Sequence, residues 1–371
     1  MTAHTSSFAI LGAGLMGRLL AVSLAREGHG VTIYDAQHVC AQGSAARVAA
    51  AMLAPLAESA VAEPGVVRMG EHSLKRWPQL LGHLSTPVFL QQNGTLVVWH
   101  RQDATDAARL RLQFETNQTK VPTLPTMEVL NSERLAEVEP ALAGRFTQGM
   151  YLPGEGQLDN RQLLAALAHE MDQLGVVTHW NTLQEPANFR PGTSGQPDWL
   201  LDCRGLGARA QWPGLRGVRG EVVRVHAPEV TLQRPTRLVH PRYPIYIAPK
   251  QDHVFVIGAT EIESDDMSPA SVRSTLELLS AAYTVHSGFA EARILEIATQ
   301  CRPTLPDNLP VVRQTAPRVL EINGLYRHGF MIAPALVDVV LQVLSTGQSP
   351  LAKTFDLALE VQGAAGATLS S

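Results

Sequence analysis

A chain of 371 residues, 45% hydrophobic and 17% charged, is too long for one core and too apolar for disorder. Two packed domains of a compact enzyme are expected. A formal charge of −4 and the lack of any basic run exclude a general affinity for nucleic acid or an anionic membrane.

Cys40, Cys203 and Cys301 are scattered, form no CxxC and have no zinc-type histidine neighbours. They read as free thiols in a reducing compartment, and no metal is expected. The first seven residues have neither a basic start nor an apolar stretch, so no signal peptide is expected. The apolar run 330–344 is interrupted by Pro334 and Asp338, which points to a fold core rather than membrane insertion. The cytoplasm is the default compartment.

In chain order, an apolar strand over 8–11 runs into Gly12-Ala-Gly14-Leu15-Met16-Gly17, then a helix through Leu19, Leu20, Val22 and Leu24, then a strand over 31–34 ending at Asp35-Ala36. This is the layout a dinucleotide needs. Gly12 permits the tight turn, Gly14 lets backbone approach the pyrophosphate, Gly17 lets helix pack on strand, and Asp35 accepts from ribose hydroxyls. The small-residue stretch that follows, with Ser44, Ala45, Ala46, Arg47, Ala51 and Met52, either lies against a large planar group or forms a plain alanine-rich helix. A helix is expected over 71–81, strands over 88–90 and 94–100 around the turn Gln92-Asn93-Gly94, and a surface helix over 104–117.

Asp159 is a candidate N-cap for an amphipathic helix over 162–174, followed by a short strand over 175–178. A strand over 199–203 meets a glycine turn at Gly205 and suits a late return to a parallel sheet. Short segments over 220–226, 236–240, 244–249 and 254–260, joined by Pro/Gly turns, predict an antiparallel sheet. A helix is expected over 268–286 with Ser268 as cap and Pro269 in its first turn. A last strand over 319–322 and a closing helix from Pro334 to Leu344 complete the fold, and the tail 362–371 is expected to be disordered.

The nucleotide fingerprint is shared by NAD and FAD domains, and a late antiparallel domain between two returns to the nucleotide fold favours FAD. The chain resembles the FAD-dependent D-amino-acid oxidase superfamily, and within it the glycine oxidase branch associated with thiamine synthesis. The resemblance is carried by Ser44-Ala-Ala-Arg47-Val-Ala-Ala-Ala-Met52-Leu-Ala-Pro-Leu-Ala-Glu58, Leu158-Asp-Asn-Arg161, Val218-Arg-Gly220-Glu-Val, Tyr246-Ile-Ala-Pro-Lys250 through Gly258-Ala-Thr260, Arg302-Pro-Thr-Leu-Pro-Asp307-Asn-Leu-Pro310, and Tyr326-Arg327-His328-Gly329-Phe330-Met331-Ile332-Ala-Pro334. These blocks arrive in family order. The chain departs from the pattern at Gln300, Cys301, Asn308, Pro244 and Ala51, each of which alters the expected cavity wall.

The resemblance implies an α/β fold: a Rossmann-like FAD domain from 1–85, 140–218 and 301–361, interleaved with a mixed, largely antiparallel substrate domain from 86–139 and 219–300. It implies non-covalent FAD, with Gly205, His328, Gly329, Phe330, Met331 and Ile332 joining the N-terminal residues around the cofactor. Main-chain N–H groups from Gly329 to Ile332 are placed to face the flavin's pyrimidine end, where charge develops on reduction.

An arginine offers a planar fork to a carboxylate; alone Arg302 could equally be a structural ion-pair arginine, but the block around it implies a substrate clamp, with Tyr246 either assisting or packing as a core aromatic and Arg327 near flavin or substrate. Glu58 and Asp307 are not convincing bases, and none is assigned. The implied reaction is oxidation of glycine, sarcosine or a small D-amino acid, with dioxygen as acceptor. A dehydrogenase feeding a quinone or partner protein, and a flavoprotein maturing another protein, stay open. A compact enzyme of this kind is expected to self-associate as a homodimer or homotetramer.

Overall fold

A computed structural model describes residues 5–242 and 244–360. The expected disordered tail lies outside the described residues.

The strand Ser7–Leu11 is buried at Phe8, Ala9, Ile10 and Leu11, on both faces, as a central parallel strand requires. It sits near the middle of a seven-stranded sheet in the order Ala358–Glu360, Val311–Ala316, Val319–Asn323, Trp199–Asp202, Ser7–Leu11, Gly30–Tyr34, Val177–His179. The five strands from Val319–Asn323 to Val177–His179 pair in parallel, and Val311–Ala316 is antiparallel to Val319–Asn323. Helices Leu15–Arg26, Pro64–Gly82, Asn160–Gln173 and Gly329–Thr346 share one apolar core with this sheet. This is a Rossmann-like α/β domain.

An eight-stranded mixed sheet forms the second layer, in the order Arg293–Thr304, Arg216–His226, Val254–Gly258, Ile245–Pro249, Thr236–Val239, Thr95–Trp99, Gln148–Leu152, Glu128–Asn131. Only Thr236–Val239 and Thr95–Trp99 run parallel; the other neighbours are antiparallel. Helix Val272–Val285 packs on one face of this sheet through Leu278, Ala281, Ala282 and Val285. Residues 148–152, counted with the nucleotide-binding pieces in the expected division, hydrogen-bond into this second sheet. A small sheet, Met52–Leu53, Gly156–Leu158 and Leu90–Gln91, adjoins the two.

Three expected boundaries move for identifiable reasons. The helix expected from Ser268 begins at Val272, because Ser271 supplies the cap by accepting from the Ser274 N–H. Ser268 instead bonds back to Asp266. The helix expected over 71–81 extends as Pro64–Gly82, with Pro64 in its first turn, where a missing N–H costs nothing. The closing helix starts at Gly329, five residues before Pro334. Pro334 cannot donate to the Phe330 carbonyl, and the Trp77 Nε1–H takes that carbonyl at 2.9 Å. Although this helix is apolar and long enough to cross a membrane, its apolar residues from Phe330 to Leu344 are largely buried within the fold. Asp159 caps Asn160–Gln173 as expected, accepting from the N–H groups of Arg161 and Gln162.

Candidate active site

The glycine loop is closed by contact. A Cβ on Gly12 would lie 2.7 Å from the Cys203 carbonyl oxygen, and one on Gly17 only 1.9 Å from the Gly12 carbonyl oxygen. Gly12 also takes a positive φ of 89°. Gly14 heads the helix Leu15–Arg26 with no side-chain cap, leaving that N-terminus to a ligand anion. Asp35 is held at the rim by main-chain donors, its Oδ2 accepting from Ala13 N at 2.6 Å and its Oδ1 from Gln37 N at 2.7 Å. Beneath the loop, Arg18 is buried and donates to the carbonyls of Ala13, Leu164 and Val39 at 2.7, 2.6 and 2.6 Å. Burial pulls its pKa down to about 10, so it stays charged at neutral pH.

From this loop a single cavity of about 1390 Å³ runs to the inner face of the eight-stranded sheet. That exceeds the ~300–1,000 Å³ of an ordinary small-molecule pocket, and suits a dinucleotide with a small co-ligand. Gly12, Gly14, Leu15, Met16, Asp35, Ala36, Ser44, Ala45, Ala46, Ala51, Met52, Gly205, His328, Gly329, Phe330 and Met331 all line it. Gly17, Arg47 and Ile332 do not. Gly17 packs on Gly12, Arg47 turns to the Cys40 carbonyl, and Ile332 is fully buried in the core. The small-residue stretch is not a continuous helix: one turn, Ala45–Val48, gives way to extended chain, and Ala51 takes φ 53°. A left-handed backbone of this kind is one that glycine adopts more readily than alanine.

At the far end, Tyr246 and Arg237 are directly paired across neighbouring strands, so their side chains share a face. Arg302 comes from the edge strand Arg293–Thr304, its guanidinium seated over Gly220, where any Cβ would lie 2.5 Å from it. Arg302 Nη1 donates to the Arg219 carbonyl at 3.3 Å and Nη2 to that of Thr260 at 3.2 Å. It has no carboxylate partner within ion-pair distance among the described residues. Burial raises the Tyr246 hydroxyl pKa, so the phenol is a neutral donor.

Alongside runs a charge ladder that the sequence did not reveal. Arg237 pairs with Glu58, Glu58 with Arg327 at 2.7 Å, and Arg327 with Glu261 at 2.8 Å. The Tyr326 hydroxyl donates to Glu261 at 2.7 Å. Burial alone would raise the Glu58 pKa, but Arg327 and Arg237 outweigh it and hold the carboxylate well below its usual range. Glu58 is therefore a permanent anion and no base. His328 lies 3.5 Å from Glu58, yet burial drops its pKa to about 4, so this contact is not an ion pair at neutral pH. With two guanidinium groups against two carboxylates, the ladder is neutral. Arg302 stands beside this ladder without an ion-pair partner among the described residues.

The chain matches the model of the DAO family, FAD dependent oxidoreductase, over residues 7–341. It belongs to that family. A putative thiamine biosynthesis oxidoreductase ThiO of Rhizobium etli is 39% identical over 343 residues, covering 91% of this chain and 96% of the relative. A glycine oxidase of Geobacillus kaustophilus is 26% identical over 381 residues, covering 96% of each chain. The crystal structure of glycine oxidase from that organism superposes with a TM-score of 0.78 at 24% identity, covering 98% of this chain and 100% of that one. Iminodiacetate oxidase from Chelativorans sp. gives the same TM-score at 20% identity, covering 96% and 100%. The chain is thus an FAD-dependent oxidoreductase of the amino-acid and glycine oxidase-like family, with the fold that binds FAD.

Arg237, Glu261 and Arg18 escaped the sequence reading, and Tyr326 and Glu58 entered it within the resemblance blocks without the roles seen here, Glu58 being rejected as a base. Arg237 carries no local motif; its position opposite Tyr246 depends on strand register. Arg18 directly follows Gly17, and a buried helical arginine beside a glycine loop was the available signal.

Proposed function

We propose that this enzyme oxidises a small α-amino acid, glycine, sarcosine or a small D-amino acid, to its imine. The observation that carries the reading is Arg302: a cavity guanidinium held by main-chain carbonyls with no carboxylate of its own. Its free donors suit the two oxygens of one substrate carboxylate. Tyr246 adds a neutral hydroxyl from the same wall, and the neutral ladder behind it offers no second excess cation.

The glycine loop, Asp35 and the uncapped N-terminus of Leu15–Arg26 would hold the dinucleotide; the small-residue stretch and the start of Gly329–Thr346 would face its ring. The latter helix has no side-chain cap, so its first N–H groups and dipole favour negative charge there. FAD held there would supply a two-electron acceptor for the hydride of the α-carbon, with dioxygen as the final oxidant and hydrogen peroxide as its two-electron product. The chain's part is to anchor the carboxylate, aim the C–H bond and exclude water while the amine, in its neutral form, becomes the C=N bond. Water then hydrolyses the imine to the 2-oxo acid, releasing ammonia or an amine. The ThiO relative supports supply of such an imine to thiazole synthesis.

Anaerobic addition of glycine, sarcosine and small D-amino acids to the yellow protein tests this. Bleaching of the flavin band, with peroxide on readmission of air, is expected. Dye reduction in air without peroxide would assign a dehydrogenase instead. No bleaching by any small amino acid would remove the reading.

A further inference from the structure

Between the glycine loop and Tyr246 the chain runs through residues 45–52, and its carbonyls there are turned away from the cavity. Asn160 Nδ2 donates to the carbonyls of Ala46 and Arg47 at 2.9 and 2.6 Å. Leu158 N donates to the Ala51 carbonyl at 3.1 Å. In a regular antiparallel ladder the reciprocal bond would run from Ala51 N–H to the Leu158 carbonyl. Here that bond is not made, and the Leu158 carbonyl accepts instead from the buried Lys250 Nζ, at 2.8 Å. Lys250 Nζ also donates to the Ala50 carbonyl at 2.8 Å and to Gln157 Oε1 at 3.0 Å, and burial pulls its pKa down to about 7.

The Ala51 N–H has no acceptor among the described residues, on a residue only 2% exposed that lines the cavity. A buried amide donor without a partner is costly and is normally satisfied by something bound. Because the Ala50–Ala51 peptide is held with its carbonyl on Lys250, its N–H points the opposite way.

We propose that Lys250 is a positioning residue: by gripping the Ala50 and Leu158 carbonyls it fixes the Ala50–Ala51 peptide with its N–H turned away from the ladder, where it can donate to the flavin ring. The inference rests on the reading above, since a ring that takes hydride from a substrate at Tyr246 and Arg302 must lie between them and the glycine loop. The donor strengthens as electron density rises on the ring, so it favours the reduced form.

The test compares wild type with Lys250→Met, which keeps the stem and removes the donor. In the variant, the Ala51 N–H can re-pair with Leu158. FAD affinity, from titration of the apoprotein, should weaken roughly tenfold, about the loss of one good hydrogen bond. The midpoint potential of the bound flavin should shift negative, which a purely structural role would not produce. Unchanged potential and affinity in a folded variant overturn the proposal while leaving the amino-acid reading intact. Failure of wild type to bind flavin, or to be bleached by any amino acid, overturns both. Should the variant not fold, hydrogen exchange in wild-type peptide 49–53 decides. Protection of the Ala51 amide on adding FAD supports the proposal, and equal exchange with and without FAD overturns it.

Discussion

Glu58 Oε2 sits 2.7 Å from Nη2 and 2.9 Å from Nε of Arg327, a two-pronged pair that joins the short helix Pro55–Glu58 to the turn entering the closing helix. The same carboxylate grips Arg237 on the substrate sheet. One buried anion therefore ties three parts of the cavity wall.

Glu58→Gln should be severely destabilising. Removing one partner of a buried pair costs roughly 3–5 kcal/mol, since Arg327 and Arg237 then lose their common counter-charge. The Glu58 pKa is depressed by folding, so its contribution is present above the ordinary carboxylate range and is lost as pH falls below it. Chemical denaturation from pH 7 down to pH 3 should show the wild-type advantage over the glutamine variant shrinking toward acid. A constant difference across that range would contradict the pairing.

Arg302→Ala should raise KM for small amino acids a hundredfold or more, by the ~3 kcal/mol typical of a charge-assisted bidentate contact. Flavin content should stay at the wild-type level, because Arg302 sits at the substrate end. Steady-state kinetics with absorbance-based flavin quantitation separates the two effects. Unaltered kcat/KM for every amino acid would remove the anchor.

Glu155 provides a pH effect of opposite sign. It is buried, Oε1 accepts from the Ala57 N–H at 2.7 Å, and burial pushes its pKa up to about 7. Folding thus favours the protonated acid. Its contribution is full below the ordinary carboxylate pKa and declines as pH rises through about 7. Glu155→Gln should keep the neutral shape and flatten stability between pH 5 and pH 8, as read from thermal melting points.

Gly17→Ala should yield protein with little flavin, because the new methyl would meet the Gly12 carbonyl at 1.9 Å and force helix from loop. Wild type, precipitated with acid, should release its yellow colour to the supernatant, as expected for non-covalent FAD. A yellow pellet would show a covalent bond.

The dinucleotide half was legible from residues 8–35 alone, because a tight turn, close phosphate approach and helix-on-strand packing each demand glycine at a stated spacing. Tyr246 and Arg302 were singled out through the sequence blocks around them, and both line the cavity. The rest depended on tertiary structure. Arg237 meets Tyr246 only through the register of Thr236–Val239 on Ile245–Pro249, and Glu58 meets Arg327 across 269 residues of chain. Within the closing helix, the carbonyl that Pro334 could not take is satisfied by Trp77, from a helix far away in sequence. Local sequence determines backbone conformations and short-range hydrogen bonds, whereas which charge neutralises which is decided by packing, when distant side chains lose water and must find partners.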